Sequence, residues 1–354
     1  MRRESLTGRL VAEGEGRLDR ILHSRLGGSR SQVEQLIKRG FVKVGGKEIT
    51  KAGYRVTEGA EIEYTIPPEP ERESVVVDFD VPVIYEDEYI LVVNKPSGLV
   101  VHPAPSVKGP TLVDWLKARG VSLSTISGEE RHGIVHRLDR ETSGAMVVAK
   151  SNDVHEELSR QLQDRSMGRY YIAVVDYPLK ESGVVEGPIG RNPANRLKMG
   201  VVSGGKPAKT RFEKLLQSEN TPFELVAAKL FTGRTHQIRV HLASIGRHIA
   251  GDGLYGFKSG RGKIERILLH AFVLYLRHPK TGRKIRFTAD IPDSMKRSIE
   301  SYFDKEKLDE ILDPCALLRR FDDDCRGMRT EERNARGTEG KKRPSQGGVH
   351  KDAE

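Results

Sequence analysis

The chain of 354 residues contains little cysteine and no long apolar segment. Its two cysteines, Cys315 and Cys325, lie in a polar stretch without metal-ligand spacing, which favours a protein of the reducing cytoplasm. No segment approaches the roughly 20 apolar residues that span a bilayer. No apolar core follows the charged N-terminus, so the sequence predicts neither a signal peptide nor a membrane partner.

Apolar residues make up only 36% of the chain, which indicates that part of it is tail or linker. Positive charge, by contrast, is in excess. Lys and Arg number 60 against 50 Asp and Glu, giving a formal net charge of +10. Because excess positive charge attracts polyanions over long distances, the composition favours a nucleic acid or another anionic partner.

Residues 16–67 have the pattern of two short helices followed by small strands. Apolar residues recur at helical spacing from Leu18 to Leu26. The segment SQVE (31–34) has the form of a capping box that opens a second helix ending at Gly40. FVKVGGKEI then predicts two strands around a Gly-Gly turn. Such a unit, rich in Arg and Lys, can press basic side chains onto phosphates.

The rest of the chain consists of regions that differ in composition. In the largest region, strands separated by occasional helices, without regular βα alternation, predict an α+β fold with a mixed, mainly antiparallel sheet. Strands are predicted at 90–93, 145–149, 171–175, 223–230 and 267–276, and helices at 111–119, 153–163 and 235–244. The predicted divisions are an arm (1–15), the small domain (16–67), a proline-rich linker (68–73), a catalytic domain (74–304) and a polar, disordered tail (305–354).

One carboxylate stands out chemically. Asp139 lies between Arg137 and Arg140 in GIVHRLDRETSG, just before an apolar strand-like run. Flanking cations favour the ionised carboxyl and should lower its pKa, which makes Asp139 available as a nucleophile or a base at pH 7. The arginines can meet a phosphate or a displaced base. Surface salt bridges are the alternative interpretation, and the segment alone does not decide.

Two further segments carry side chains suited to an anionic substrate. RYYIAVV contains adjacent tyrosines, and TGRTHQIRVHLASIG concentrates Arg234, His236 and Arg239. On a helix beginning near Thr235, His236 and Arg239 would share a face. One acid, one aromatic hydroxyl and a cluster of cations predict a site for an anionic substrate that uses no metal.

Five long motifs, in order, resemble the RluA/RluD family of pseudouridine synthases. They are NKPSGLVVHP, HRLDRETSGAMVVAK, GRYYIAVV, TGRTHQIRVHLASIGRHIAGDGLYG and LLHAFVLYLRHPKTG, and the likeness covers about residues 74–303. The segment from Arg17 to Ile49 resembles the S4 RNA-binding domain. The resemblance implies a pseudouridine synthase catalytic domain behind a small α/β S4-like domain, an isomerase that acts on RNA without a cofactor, and we expect a monomer.

The resemblance also implies roles at matching positions. Asp139 matches the essential aspartate of the HRLD motif. Tyr171, rather than Tyr170, matches the active-site tyrosine, and Arg239 matches the arginine that pairs with the catalytic carboxylate. Arg169 stands where the family usually has lysine. On this basis, removal of Arg239 is expected to cost activity more than stability.

Binding of substrate RNA is expected from a further set of cations. Arg137 matches the residue that enters the base stack vacated by the flipped nucleotide. The remaining members of the predicted RNA-binding set are Arg140, Arg234 and His236.

An S4-like domain joined to this catalytic domain resembles the family's enzyme for helix 69, which modifies neighbouring uridines in one loop of large-subunit rRNA. Loop bases are already partly unstacked, so flipping a nucleotide there costs less than in a duplex. The expected partner is therefore 23S rRNA or its precursor particles. Another rRNA site, a tRNA, or a non-catalytic S4-type RNA-binding protein are the alternatives.

Three other interpretations have weaker support. A glycosidase or nucleosidase also acts at C1′ but usually needs two carboxylates, and only Asp139 stands out, with Glu141 and Asp252 left open. GDGLYG (251–256) matches a dinucleotide-binding pattern but lacks the helix and the acidic residue of such a site, so its glycines are expected to shape a loop near the active site. A metal site is the third, but the five histidines that could form it lack a carboxylate or cysteine at metal-ligand spacing; they are residues 236, 241, 248, 270 and 278.

Overall fold

The computed structural model describes residues 5–26, 30–67, 76–104, 107–126, 132–258, 264–323 and 329–330. The N-terminal part folds around a four-stranded antiparallel sheet of order β1-β6-β3-β4, with a two-stranded β2-β5 pair beside it. Its elements are β1 (Leu6–Val11), β2 (Gly16–Arg17), α1 (Leu18–Leu26), α2 (Arg30–Lys38), β3 (Val42–Val44), β4 (Lys47–Glu48), β5 (Arg55–Val56) and β6 (Glu61–Ile66).

This part has its own apolar core. Leu18 and Leu22, one helical turn apart, and Ile37 of the second helix are completely buried in it together with residues of the sheet. The two predicted helices and the Gly-Gly turn between β3 and β4 are confirmed. This part therefore buries apolar residues in a core of its own.

Two predictions for this part are wrong. The arm predicted for 1–15 includes β1, whose residues from Leu6 to Val11 pair with β6 and so belong to the small domain. The second helix, predicted to open at the 31–34 capping box, already begins at Arg30. A Ser-x-x-Glu pattern fits the interior of a helix as well as its start, so the pattern alone could not fix the boundary.

The larger part has a ten-stranded sheet of order β11-β14-β15-β10-β16-β9-β8-β7, with β17 beside β16 and β18 beside β17. Among the described residues of this sheet, only the β16-β9 and β17-β18 pairings are parallel, which confirms the predicted α+β fold with a mixed, mainly antiparallel sheet. The elements up to β15 are β7 (Val83–Glu86), β8 (Ile90–Lys95), α3 (Leu112–Ala118), β9 (Ser143–Ala149), α4 (Asn152–Gln163), β10 (Gly168–Val175), β11 (Gly183–Glu186), β12 (Ile189–Arg191), β13 (Met199–Val201), β14 (Lys209–Gln217) and β15 (Glu224–Leu230).

The remaining elements are α5 (Gln237–Ser244), β16 (Leu269–Arg277), β17 (Lys284–Thr288), α6 (Asp293–Tyr302), α7 (Lys305–Ile311), α8 (Pro314–Arg319) and β18 (Arg329–Thr330). None of the helices in the described ranges is both long and apolar enough to cross a bilayer.

Strand β10 lies in the middle of the large sheet, between β15 and β16, and contributes to two apolar clusters. Because alternate strand residues point to opposite faces, Tyr171 belongs to the cluster that includes α3 and α5. Tyr170 belongs instead to the cluster covered by α6, α7 and α8. The two adjacent tyrosines therefore serve different sides of the sheet.

The prediction of a disordered tail from residue 305 is wrong for residues 305–323. Leu308, Leu317 and Phe321 are buried against the sheet, and Asp323 pairs with Lys229 at 2.6 Å. The prediction of disorder came from the many charged residues of this segment. It overlooked a few well-spaced apolar residues that cover one face of the sheet. The catalytic domain thus extends past 304, while 324–328 and 331–354 lie outside the described residues. Cys315 is disulfide-bonded, which a reducing compartment does not lead one to expect.

The segment carrying Asp139 is fixed to the sheet where β9 begins. Gly144 pairs with Ala271 of β16 and has a φ of +122°. A Cβ on Gly144 would lie 2.2 Å from the Ala271 carbonyl oxygen, so only glycine permits this approach. Next to it, Ser143 Oγ hydrogen-bonds His270 Nδ1 at 2.8 Å. The sheet therefore holds the end of this segment rigidly.

Candidate active site

A pocket lies where the Asp139 segment, strand β10 and the start of α5 meet. Six of the seven predicted site residues line it, and only Arg140 does not. The lining residues are Arg137, Leu138, Asp139, Thr142, Arg169, Tyr171, Leu230, Gly233, Arg234, Thr235, His236, Gln237, Ile238, Arg239 and Leu269. The pocket therefore combines apolar walls, which suit a base, with guanidinium groups, which suit an anionic polymer.

The cation in contact with Asp139 comes from α5. Arg239 Nη1 lies 3.6 Å from Asp139 Oδ2, and the Asp139 side chain is 18% exposed to the pocket. The sequence interpretation placed Arg140 beside this carboxylate, and that is wrong, because the mostly exposed Arg140 donates from Nε to the Gly98 carbonyl. Arg137 Nη1 lies 3.4 Å from His102 Nε2.

Asp252 holds Arg239 in place. Its carboxylate accepts hydrogen bonds from Arg239 Nε at 2.6 Å and from Nη2 at 2.9 Å, which leaves Nη1 directed to Asp139. Burial alone would lower the pKa of Arg239, but the hydrogen bonds and charge of Asp252, together with Asp139, raise it. Such a bidentate pair fixes both the position and the plane of the guanidinium.

The buried state of Asp252 bears on the glycosidase alternative. Asp252 is 1% exposed, is absent from the pocket lining, and has both oxygens bonded to Arg239. Glu141 lies at the surface beside Arg140. Neither residue is therefore placed as the second carboxylate that glycoside hydrolysis requires.

Strand β10 forms one wall of the pocket. Arg169 and Tyr171 are two residues apart, so both side chains face the pocket, while Tyr170 faces the other side of the sheet. Burial raises the pKa of Tyr171 to about 12, although Arg169 opposes the shift. Tyr171 is therefore a neutral phenol at physiological pH and presents its ring to the pocket.

Two family models match this chain: RNA pseudouridylate synthase over residues 89–244 and the S4 domain over residues 16–62. An uncharacterized RNA pseudouridine synthase of Helicobacter pylori is 47% identical over 315 residues, which cover 86% of this chain and 95% of the relative. The chain belongs to the RNA pseudouridine synthase family. The predicted likeness to this family and to the S4 domain is confirmed, and the chain is an RNA pseudouridine synthase by family.

Some other relatives of this pseudouridine synthase are named only for RNA, and others are named for the large ribosomal subunit. An uncharacterized RNA pseudouridine synthase of Bacillus subtilis is 43% identical, covering 80% of this chain and 93% of the relative. The ribosomal large subunit pseudouridine synthase D of Neisseria meningitidis is 40% identical, covering 79% and 77%. The structure of human RNA pseudouridylate synthase domain containing 1 matches with a TM-score of 0.50 and 26% identity, covering 66% of this chain and 95% of that one.

The start of α5 in this synthase differs from the prediction. The helix begins at Gln237, and His236 precedes it with a φ of +57°, so the argument that His236 and Arg239 share a helical face is wrong. Both still reach the pocket through different contacts. His236 Nδ1 lies 2.8 Å from the Tyr255 hydroxyl, which also accepts the N–H of Met199. Burial lowers the pKa of His236.

Three residues that support the synthase pocket were missed or misjudged from sequence. The GDGLYG segment forms a turn that supplies Asp252 and Tyr255, and the ring of Tyr255 lies 4.8 Å from the Arg239 guanidinium carbon. Gln237 uses both ends of its amide to fix the preceding loop, bonding Thr232, Arg234, Lys209 and Thr210. The sequence signal that could have indicated Asp252 and Tyr255 was the glycine-rich segment that follows the HQIR motif.

Among the residues that the structure describes, no three histidine, cysteine, aspartate or glutamate side chains are grouped as a metal site. The histidines considered above have other partners. His248 Nδ1 contacts Asp176 at 2.8 Å, and His278 Nε2 contacts Asp87 at 2.6 Å.

Proposed function

We propose that this enzyme converts several neighbouring uridines in the helix 69 loop of 23S rRNA to pseudouridine, acting on the free RNA or on precursor particles. The carrying observation is a partly exposed carboxylate, Asp139, held by a buried Arg239–Asp252 pair in a pocket that Tyr171 lines. The S4 domain and the likeness to synthases named for the large ribosomal subunit support an rRNA target.

The proposed roles follow from the chemistry of the isomerisation. The uracil must leave C1′ through N1, turn within the pocket and rebond through C5. Asp139 either attacks C1′ or removes a ribose proton, and Arg239 orients its carboxylate for that step. Tyr171 either stacks on the base or assists loss of the C5 proton.

The cations around the pocket are proposed to hold the RNA. Arg137 enters the stack that the flipped uridine leaves, while Arg234 and His236 contact the target strand beside the pocket. The side chain of Arg140 is 68% exposed and would contact a phosphate outside the pocket. A loop target suits this arrangement, because partly unstacked bases can be flipped at lower cost.

The substrate is tested by incubating the purified enzyme with large-subunit rRNA, with precursor particles and with tRNA, followed by nucleotide-resolution mapping of pseudouridine. New pseudouridines are expected in the helix 69 loop. Modification confined to another rRNA region or to tRNA would overturn the substrate while leaving the family's reaction in place. RNA binding without turnover on any of the three substrates would favour the non-catalytic alternative.

Deletion of residues 1–67 is expected to weaken RNA binding and to flatten its dependence on salt. Each phosphate that the S4 domain neutralises contributes about −0.9 to the slope of log affinity against log salt for a duplex, and about −0.7 for a single strand. Since the deleted part has its own apolar core, the catalytic domain should fold and keep some activity on a short RNA. Titrations at several salt concentrations measure the slope; an unchanged slope would mean that the S4 domain does not touch RNA.

A further inference from the structure

Arg169 is a buried guanidinium on the pocket wall that lacks a counter-ion among the described residues. The residue is 9% exposed, and its Nε is buried without a hydrogen-bond partner there. Two other buried cations of this domain, Arg239 and Lys95, have partners. Arg239 has the carboxylate of Asp252, and Lys95 Nζ donates to three backbone carbonyls. An unpaired buried charge is unfavourable, so its position requires an explanation.

The neighbours of Arg169 do not neutralise it. Tyr171 remains a phenol, because burial raises its pKa to about 12. His136 is neutral as well, because burial and the charge of Arg169 lower its pKa to about 3. The carboxylate that lines the pocket, Asp139, pairs with Arg239 instead. The positive charge of Arg169 is therefore available to a molecule that enters the pocket.

The guanidinium is held where it is by the backbone around it. Arg169 pairs with Leu274 in the middle of the sheet, so its Cα cannot shift easily. Gly233 packs against the other end of the side chain, and a Cβ on that glycine would lie 2.8 Å from Arg169 Nη1. A fixed charge that is largely shielded from water interacts strongly with an opposite charge and needs no reorganisation during the reaction.

We propose that Arg169 is a catalytic residue that stabilises the negative charge of the uracil ring when the N1–C1′ bond breaks. The electron pair of that bond goes to N1 and spreads over O2 and O4. C1′ either gains a bond to the Asp139 carboxylate or becomes part of a double bond as its neighbouring ribose proton leaves. After the ring turns, C5 attacks C1′ with an electron pair of the ring. In the covalent branch the bond between C1′ and the Asp139 carboxylate breaks and frees the carboxylate, and in the other branch the ribose takes back its proton as the double bond is lost. The C5 proton then leaves, and N1 takes up a proton. The sum is an isomerisation.

A base explains the pocket better than a phosphate does. Apolar side chains of Leu138, Leu230 and Leu269 line it together with the ring of Tyr171, and such a surface fits a planar ring. Phosphates of the RNA backbone remain at the open side, where Arg234 is half-buried and solvent can share the charge. The inference rests on the reaction of the family and is independent of which uridines are modified.

The test compares Arg169→Met and Arg169→Lys with the wild type on any RNA that the wild type modifies, under single-turnover conditions. Methionine removes the charge at similar length, so the rate should fall about 100-fold, as for loss of one oxyanion-hole donor. RNA affinity should not change, and thermal stability should hold or rise, because an unpaired buried charge has been removed. Lysine, the usual residue of the family, should restore most of the rate.

A second substrate separates a catalytic role from a structural one. Fluorine at C5 stabilises the uracil anion by itself, so RNA containing 5-fluorouridine depends less on Arg169. Chromatography of the digested RNA measures how fast the N1-linked nucleoside is consumed. On the fluorinated RNA, Arg169→Met should therefore reduce this rate clearly less than it does on ordinary RNA. Equal losses on both substrates, a wild-type rate in Arg169→Met, or lost stability in that variant would each overturn the proposal. No turnover by the wild type on any RNA would instead contradict the proposed function.

Discussion

Asp139→Asn is expected to abolish pseudouridine formation while leaving folding and RNA binding nearly unchanged. The amide has the shape of the carboxyl but is neither a base nor a competent nucleophile. Only a 3.6 Å contact with Arg239 is lost, and Arg239 keeps both bonds to Asp252, so no buried charge is left unpaired. Single-turnover assays, RNA titration and thermal unfolding of the purified variant measure the three expectations.

Glu141→Gln provides the matched control, since it removes a carboxylate two residues away. Glu141 lies at the surface, with Arg140 3.5 Å away, and does not line the pocket. This variant should keep its activity. Turnover retained by Asp139→Asn would show that the carboxylate is not the reacting group. An equal loss in both variants would instead mean that the segment is sensitive to any change of charge.

Much of the fold could be predicted because it depends on local patterns. Alternation along β10 places Tyr171 and Tyr170 on opposite faces, and the resemblance to the family's motif indicated that Tyr171 is the pocket residue. Apolar runs located β8, β9, β15 and β16 to within a few residues. The order of the motifs indicated the family, and their polar positions indicated which side chains would meet.

The remaining features depend on contacts between distant parts of the chain. The bond between Arg239 and Asp252 needs a turn whose glycines were expected to shape a loop near the active site, but the geometry of that turn cannot be deduced from spacing. Arg140, next to Asp139 in sequence, points elsewhere, while Arg239 arrives from a helix 100 residues away. Helices α7 and α8 were missed because average composition is insensitive to a few buried leucines.

Arg239→Met is expected to cost stability as well as activity, which differs from the expectation based on sequence. The family resemblance implied that Asp139 is the partner of Arg239. Its main partner is instead Asp252, a carboxylate that is 1% exposed and would be left without its counter-ion. Removing one partner of a buried ion pair typically costs about 3–5 kcal/mol of unfolding free energy. Urea unfolding measures this cost.

The double variant Arg239→Met/Asp252→Asn separates the two roles of Arg239. Neutralising Asp252 removes the stranded charge, so most of the lost stability should return, while activity should stay low because nothing orients Asp139. Arg234→Met is the control, since the only side-chain bond of that arginine among the described residues joins Nε to the Pro207 carbonyl. It should unfold like the wild type. Activity that recovers together with stability in the double variant would show that Arg239 supports the fold and does not act on Asp139.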